Sequence, residues 1–188
     1  MTVDLGTGDG RLPYALARQA PDRLFVGVDA DLASLRVFSG RALKGGLRNV
    51  AYVRAAVEDL PAELTGAADA VTVVLPWGSL LAAVARPSVE DLKRIRGLCR
   101  PHAALTVVVS IDPVRDRAEA DRLGLPGLDQ AHLDGALAAG YAAAGFVVDS
   151  GRPVPPGELA SWPSTWARRL ANGRPRAVHL IEARAVGG

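Results

Sequence analysis

Three carboxylates stand where short apolar runs stop. Asp4 lies in "VDLGTGDGR", Asp29 in "FVGVDAD" and Glu58 in "AAVEDLP". The two oxygens of Asp29 can accept from both hydroxyls of a ribose. Gly6 and Gly8 follow Asp4 where a strand turns into a helix. Glycines there let the backbone approach a ligand, and the helix start offers free N–H groups. The dinucleotide fingerprint G-x-G-x-x-G/A is broken, because its last position holds Arg11. A loop acid or helix cap is the plain alternative for Asp29, and it fits Asp31 better. Three acids in order at successive strand ends point instead to a ligand crevice along the carboxyl edge of a sheet.

Two of the three tryptophans raise a second question. Trp77 ends "VTVVLPW" beside a small Gly-Ser turn, and Trp166 sits in "STWARRL". Either alone reads as core packing. As a pair they offer two flat faces, which can clamp an unstacked nucleobase. Such stacking is worth roughly 1–3 kcal/mol per base.

The elements that must hold these residues alternate along the chain. Strands are expected over residues 1–6, 23–31, 49–57, 68–77, 103–111, 146–154 and 176–186. Helices are expected over 11–21, 31–45, 88–100 and 128–146, with Ser88 as the N-cap of the third. Near-continuous Val/Leu strands indicate burial on both faces. The expected fold class is therefore α/β, a doubly wound, mostly parallel sheet flanked by helices. No linker, repeat or low-complexity tract breaks the 188 residues, so one domain over 1–188 is expected.

Composition narrows the setting. Hydrophobic residues make up 49% and charged residues 22%, as in ordinary globular proteins. No apolar run reaches membrane-spanning length, and the N-terminus lacks the basic start and apolar core of a signal peptide. A cytoplasmic protein without a membrane partner is expected. The lone cysteine, Cys99, excludes an internal disulfide and a cysteine metal cluster, and reads as a small core residue. His102, His132 and His179 fall on separate elements, so neither a metal site nor a Ser-His-Asp arrangement is expected. Net charge is +2, and the basic residues are nearly all arginine. From Arg152 to Arg184 six arginines stand against two acids, Glu158 and Glu182. Arginine forks bind phosphate bidentately, so a polyanion partner is one reading and a solvated surface the other.

The D-x-G-x-G pattern resembles motif I of the class I S-adenosylmethionine-dependent methyltransferases. More specifically, "DLGTGDG", "ARQAPDRLFVGVDAD", "KGGLRN", "LPWGSLL", "CRPHA" and "STWARRL" resemble the aminoglycoside-resistance methyltransferases that modify N1 of adenine 1408 in 16S rRNA. The resemblance covers nearly the whole chain. It implies the Rossmann-like fold of that class, with its last strand antiparallel, and S-adenosyl-L-methionine as cofactor. It implies a 30S ribosomal subunit partner and a monomer. Carried over by position, Asp4 orients the cofactor's amino group, while Gly6 and Gly8 leave room for its methionine moiety. Asp29 takes the ribose. Ala56 and Val57 read the adenine ring edge, with Glu58 nearby; many class members have Asp where Ala56 stands. Val74, Leu75, Pro76 and Ser79, with Ser164 and Thr165, line the cofactor and acceptor pocket. Trp77 and Trp166 sandwich the target adenine. Arg168 or Arg169, with Arg174 and Arg176, grip rRNA phosphates, and Arg36, Arg41, Lys44 and Arg48 extend that basic surface.

Two features stand apart from the family pattern. Family members begin with an extra segment ahead of motif I, whereas Met1 here lies three residues before Asp4; a missing part of the docking surface, or a start further upstream, is the expectation. The segment "DPVRDRAEADRLGLPGLD" forms either a flap over the acceptor site or an ordinary connection. Trp162 is unassigned. A small-molecule methyltransferase on the same fold and a weakly active RNA-binding homologue remain as alternatives.

Overall fold

The computed structural model describes residues 1–174 and 176–187. Seven strands form one sheet in the order β3-β2-β1-β4-β5-β7-β6. They are β1 (Thr2–Leu5), β2 (Phe25–Asp29), β3 (Val50–Arg54), β4 (Ala68–Val74), β5 (Cys99–Val109), β6 (Phe146–Pro153) and β7 (His179–Ala185). The neighbouring pairs among β1 to β5 are parallel, and β7 runs antiparallel to both β5 and β6. This is the expected doubly wound, Rossmann-like fold with its last strand antiparallel.

Period-two alternation divides the sheet between two cores. Val3 and Leu5 of β1, Val71 and Val73 of β4, and Leu105, Val107 and Val109 of β5 face one side. There they meet α3 (Gly78–Ala85) through Leu81 and Val84, and α4 (Val89–Leu98) through Leu92, Ile95 and Leu98. Tyr141 of α7 (Ala138–Ala143) joins them, fully buried, its hydroxyl donating to the Val84 carbonyl at 3.2 Å. On the opposite side Val74, Val108 and Leu180 pack on Leu12 of α1 (Arg11–Gln19) and on Leu159 and Ala167. The last two belong to α8 (Pro156–Ser161) and α9 (Thr165–Ala171), both in the connection from β6 to β7. Trp162 is half-buried against this second core. Cys99 is buried, as expected.

Helix boundaries follow local chemistry. Asp31 caps α2 (Leu32–Lys44), accepting from the backbone N–H groups of Ala33 and Ser34. Ser88 caps α4, its Oγ accepting from Asp91 N. Other expectations shift. β5 begins at Cys99, four residues before the expected start, and carries a register shift opposite Ala68 and Ala70 of β4. His102, at φ 63, lies in that irregular stretch. The helix expected over 128–146 is interrupted: α6 (Gln130–His132) passes through a π turn, Leu133–Leu137, into α7. Four helices were not anticipated: α3, α8, α9 and α5 (Arg117–Leu123). α3 is apolar almost all round, so it shows no amphipathic period, and the other three are too short to display one.

The 112–129 segment carries α5 (Arg117–Leu123) between β5 and α6. The Asp112 carboxylate accepts from Val114 N and Arg115 N, and the Arg86 guanidinium donates to the Leu123 carbonyl at the end of α5. Among the described residues no helix is long and apolar enough to cross a membrane.

Gly140 shows how tightly α7 is seated. A Cβ there would lie 2.5 Å from the Cβ of Pro87. Alanine is the better helix former by about 1 kcal/mol, but a rigid proline ring cannot turn aside, and overpacking costs about 1–3 kcal/mol. The Gly140→Ala variant is expected to unfold at lower urea concentration than the parent; an unchanged or higher midpoint would contradict this packing.

Candidate active site

The strand order reverses between β1 and β4, and the chain leaves their carboxyl ends in opposite directions. Such a switch point opens a crevice. Here it holds a cleft of about 430 Å³, within the range of small-ligand sites. Gly6, Thr7, Gly8 and Asp9 form one wall, Asp29 and Ala30 follow from β2, and Ala55, Ala56 and Val57 follow from β3. Val74, Leu75, Pro76, Trp77 and Ser79 come from the end of β4 and the start of α3, while Ser164, Thr165, Trp166 and Arg169 come from α9 and its cap.

Backbone geometry shapes this cleft. Gly6 and Gly8 take φ values of 67 and 58, in the left-handed region that glycine tolerates. The Gly8 N–H donates to Asp29 Oδ2 at 2.7 Å, and Asp31 N donates to Asp29 Oδ1 at 2.9 Å. Each oxygen keeps a further lone pair for a ligand hydroxyl. A Cβ added at Gly8 would meet no protein atom within 4 Å, so the space beside this turn is left to a ligand.

A second cavity, of about 390 Å³, adjoins the first. Leu75, Pro76, Trp77 and Trp166 line both. Leu170 adds an apolar surface, and Ser110, Asp116 and Arg176 form a polar end. Trp77 is 59% exposed and Trp166 57%, which excludes core packing for either ring. Leu75 reaches this place at a cost. It has φ 53, although it is not glycine and precedes Pro76. Its N–H donates to the Val108 carbonyl at 2.7 Å, and that bond holds the turn that brings Pro76 and Trp77 to the cavities. Ser164 Oγ caps α9 by accepting from Ala167 N, and the Arg169 guanidinium lies 5.4 Å from the Trp166 ring centroid.

Residues 1–185 match the family described as NpmA: 16S rRNA (adenine(1408)-N(1))-methyltransferase. The chain belongs to this family. The 16S rRNA (adenine(1408)-N(1))-methyltransferase of Streptoalloteichus hindustanus is 38% identical over 184 residues, covering 94% of this chain and 82% of that protein. The Escherichia coli protein of the same description is 35% identical, covering 95% and 84%. Among solved structures, the aminoglycoside resistance methyltransferase NpmB1 is 42% identical with a TM-score of 0.84, covering 98% of this chain and 86% of that one. A tryptophan-to-alanine mutant of the Catenulisporales acidiphilia enzyme, solved with cosubstrate SAM, is 35% identical with a TM-score of 0.86, covering 98% and 85%.

As an NpmA-family methyltransferase the chain takes S-adenosylmethionine as its cofactor, and the cleft suits that molecule. The open turn at Gly8 and the spare lone pairs of Asp29 match an amino-acid moiety and a ribose. Of the cofactor residues expected from sequence, Gly6, Gly8, Asp29, Ala56, Val57, Val74, Leu75, Pro76, Ser79, Ser164 and Thr165 all line the cleft. Asp4 and Glu58 do not. Asp4 is 4% exposed, and its Oδ1 accepts from Thr72 Oγ1 at 2.6 Å. Glu58 is exposed, and its neighbours Ala56 and Val57 supply that part of the wall.

The basic residues divide by partner. Arg36, Arg41, Lys44, Arg48, Arg168, Arg169 and Arg174 are exposed, and none of them has an acidic partner among the described residues. Arg41 rests against the Phe38 ring, 4.6 Å from its centroid. Arg176 differs from the expectation of an open phosphate-binding side chain. It is turned inward, ion-paired with Asp116, and its Nε donates to Ser110 Oγ at 2.7 Å. Arg152 and Arg184 are likewise paired, with Glu158 and Asp149. Sequence reasoning missed Asp9, Ser110 and Asp116. Asp9 was hidden in plain view within the glycine motif, whereas Asp116 stands in a mixed-charge segment that carries no signal. Among the described residues no group of His, Cys, Asp or Glu could hold a metal ion.

Burial pushes the Asp4 carboxyl up to about 6, with a small further push from the charge of Asp29, while the Thr72 hydroxyl pulls the other way. The folded state therefore holds this proton more tightly than the unfolded chain. Stability falls as pH rises from about 4 to 6 and stays lower above, by on the order of 3 kcal/mol. The Asp4→Asn variant, which is neutral throughout, should gain in melting temperature over the parent at pH 7.5, and that gain should shrink at pH 5. A difference independent of pH would refute an ionised, buried Asp4.

Proposed function

We propose that this chain transfers a methyl group from S-adenosylmethionine to N1 of adenine 1408 of 16S rRNA in the assembled 30S subunit, in the cytoplasm, and thereby confers aminoglycoside resistance. The observation that carries the reading is the placement of two half-exposed tryptophans at the join of two cavities. One cavity has a glycine turn and a ribose-accepting carboxylate, and the other has aromatic and apolar walls.

In this reading Trp77 and Trp166 are the catalytic pair. They take an adenine, turned out of its stack, between their faces. N1 of neutral adenine carries a lone pair, so no side chain need act as general base. When bound, S-adenosylmethionine supplies an electrophilic sulfonium methyl. The protein's task is to hold N1 in line with that carbon, which is catalysis by positioning. The methyl would leave sulfur as a neutral thioether while it joins N1, so the positive charge would pass to the base, and two indole faces favour that charge through their quadrupoles. Apolar Leu75, Pro76 and Leu170 keep water from the ring.

Asp29 receives the cofactor ribose, Gly6 and Gly8 flank its methionine part, and the Ala56–Val57 backbone reads its adenine. Asp4 acts from behind the glycine turn, through the strand it sits on. Arg36, Arg41, Lys44 and Arg48 on α2 and the following loop, with Arg168, Arg169 and Arg174 around α9, supply cations that have no acidic partner among the described residues and suit rRNA phosphates. Arg176, ion-paired with Asp116 at the polar end of the second cavity, is not among these cations.

Primer extension on 30S subunits treated with enzyme and S-adenosylmethionine tests this directly. Methylation at N1 blocks base pairing, so reverse transcriptase is expected to stop at adenine 1408. Trp77→Ala should lower the rate by at least about 100-fold while its affinity for S-adenosylmethionine by calorimetry stays within about threefold. A Trp77→Ala enzyme that modifies 30S at the parent rate, or a parent that leaves 30S unmodified while methylating small molecules, defeats the proposal.

A further inference from the structure

Asp9 occupies the middle of the glycine turn, in the wall of the first cleft. Its Oδ1 accepts from Arg11 N at 3.2 Å, and its carbonyl accepts from Phe38 N of α2 at 3.2 Å. These bonds use one carboxylate oxygen and the main chain, and they fix the residue in the turn. The other oxygen, Oδ2, accepts from Thr165 Oγ1 at 2.7 Å, across 156 residues of sequence. Thr165 is the first residue of α9, and Trp166 is the second.

The remaining supports of α9 lie elsewhere on the helix. Ala167 is fully buried, and with Leu170 and Ala171 it packs on the core beneath α1. Apolar packing of this kind is non-directional and sets how deep the helix sits. Among the described residues, the Thr165–Asp9 bond is the one side-chain hydrogen bond from α9 to the glycine turn. A hydrogen bond to a carboxylate is directional and stronger than one between neutral groups. It ties the first turn of α9, which carries Trp166, to the glycine turn.

From this geometry we infer that Thr165 is a positioning residue, and that the Thr165–Asp9 bond transmits occupancy of the cofactor cleft to the Trp166 ring. A ligand that settles the turn at Gly8 settles Asp9 with it, and Asp9 holds α9 by its first residue. The coupling is reciprocal. A base clamped against Trp166 favours the arrangement of the turn that holds the cofactor. The inference rests on the assignment of this cleft to S-adenosylmethionine, but it does not need the rRNA target.

The test reads Trp166 alone, in a protein carrying Trp77→Phe and Trp162→Phe. S-adenosylhomocysteine is titrated in, and quenching of the indole by acrylamide is followed. Ligand is expected to lower the quenching constant when position 165 is Thr, and also after Thr165→Ser, which keeps the hydroxyl. After Thr165→Val the change should shrink at least threefold, with ligand affinity by calorimetry still within about threefold. On 30S subunits, in the protein with all its tryptophans, Thr165→Val should lower kcat about tenfold or more with little change in KM for S-adenosylmethionine, and Thr165→Ser should restore it. An undiminished ligand response in Thr165→Val, or no rescue by serine, overturns the inference. Failure of calorimetry to detect ligand in any form would overturn both the inference and the cofactor assignment. A normal quenching pattern without 30S methylation would uphold the inference while removing the rRNA reading.

Discussion

The Gly8 N–H bond to Asp29 ties the turn after β1 to the end of β2, and the rest of the site is arranged around that tie. It closes one side of the crevice that opens where the strand order reverses between β1 and β4. A left-handed φ at Gly6 and Gly8 lets the chain make the bond without strain and keeps side chains out of the cleft. The same carboxylate then faces the ligand with lone pairs to spare. A residue with a Cβ at either glycine would be forced into a conformation that L residues rarely adopt, and at Gly6 it would also come within 2.8 Å of Leu80.

Across the crevice the opposite strategy operates. Leu75 accepts an unfavourable backbone conformation, ahead of a proline that restricts it further. Strain of this kind costs of order 1–3 kcal/mol and persists where surrounding structure enforces it. Here the enforcement is the Leu75 bond to Val108 on the neighbouring strand. The return is an abrupt turn that leaves a large indole half in solvent at the mouth of a cavity. Donor-side geometry thus rests on relaxed glycines, and acceptor-side geometry on a strained leucine.

Much of this was legible in the chain. Val/Leu runs such as "ALTVVV" fix a two-sided parallel sheet, because burial on both faces removes alternation. Asp31 and Ser88 announce their helices through capping chemistry, which is local. Gly6, Gly8 and Asp29 can be placed because motif and strand end coincide. Other features depend on contacts between distant segments. Nothing near Arg176 in sequence reveals that Asp116 turns it inward, and nothing near Thr165 points to Asp9. Asp4 and Glu58 sit where a motif would have them, and what the chain alone does not reveal is that one is buried behind the cleft lining and the other exposed beside it. The helices α8 and α9 escaped notice because six or seven residues show too little periodicity to be read.

Trp166 arrives on an excursion between β6 and β7, two antiparallel neighbours at one border of the sheet, whereas most of the cofactor wall follows the parallel strands β1 to β4, up to the opposite border at β3. Insertions and replacements in such a border loop leave the parallel strand pairing untouched. Choice of acceptor and possession of a donor site can therefore change in part separately in this architecture: a lineage can remodel the excursion around Trp166 while the glycine turn and the ends of β2 and β3 stay as they are, provided that Ser164 and Thr165, which the excursion lends to the donor cleft, keep their places.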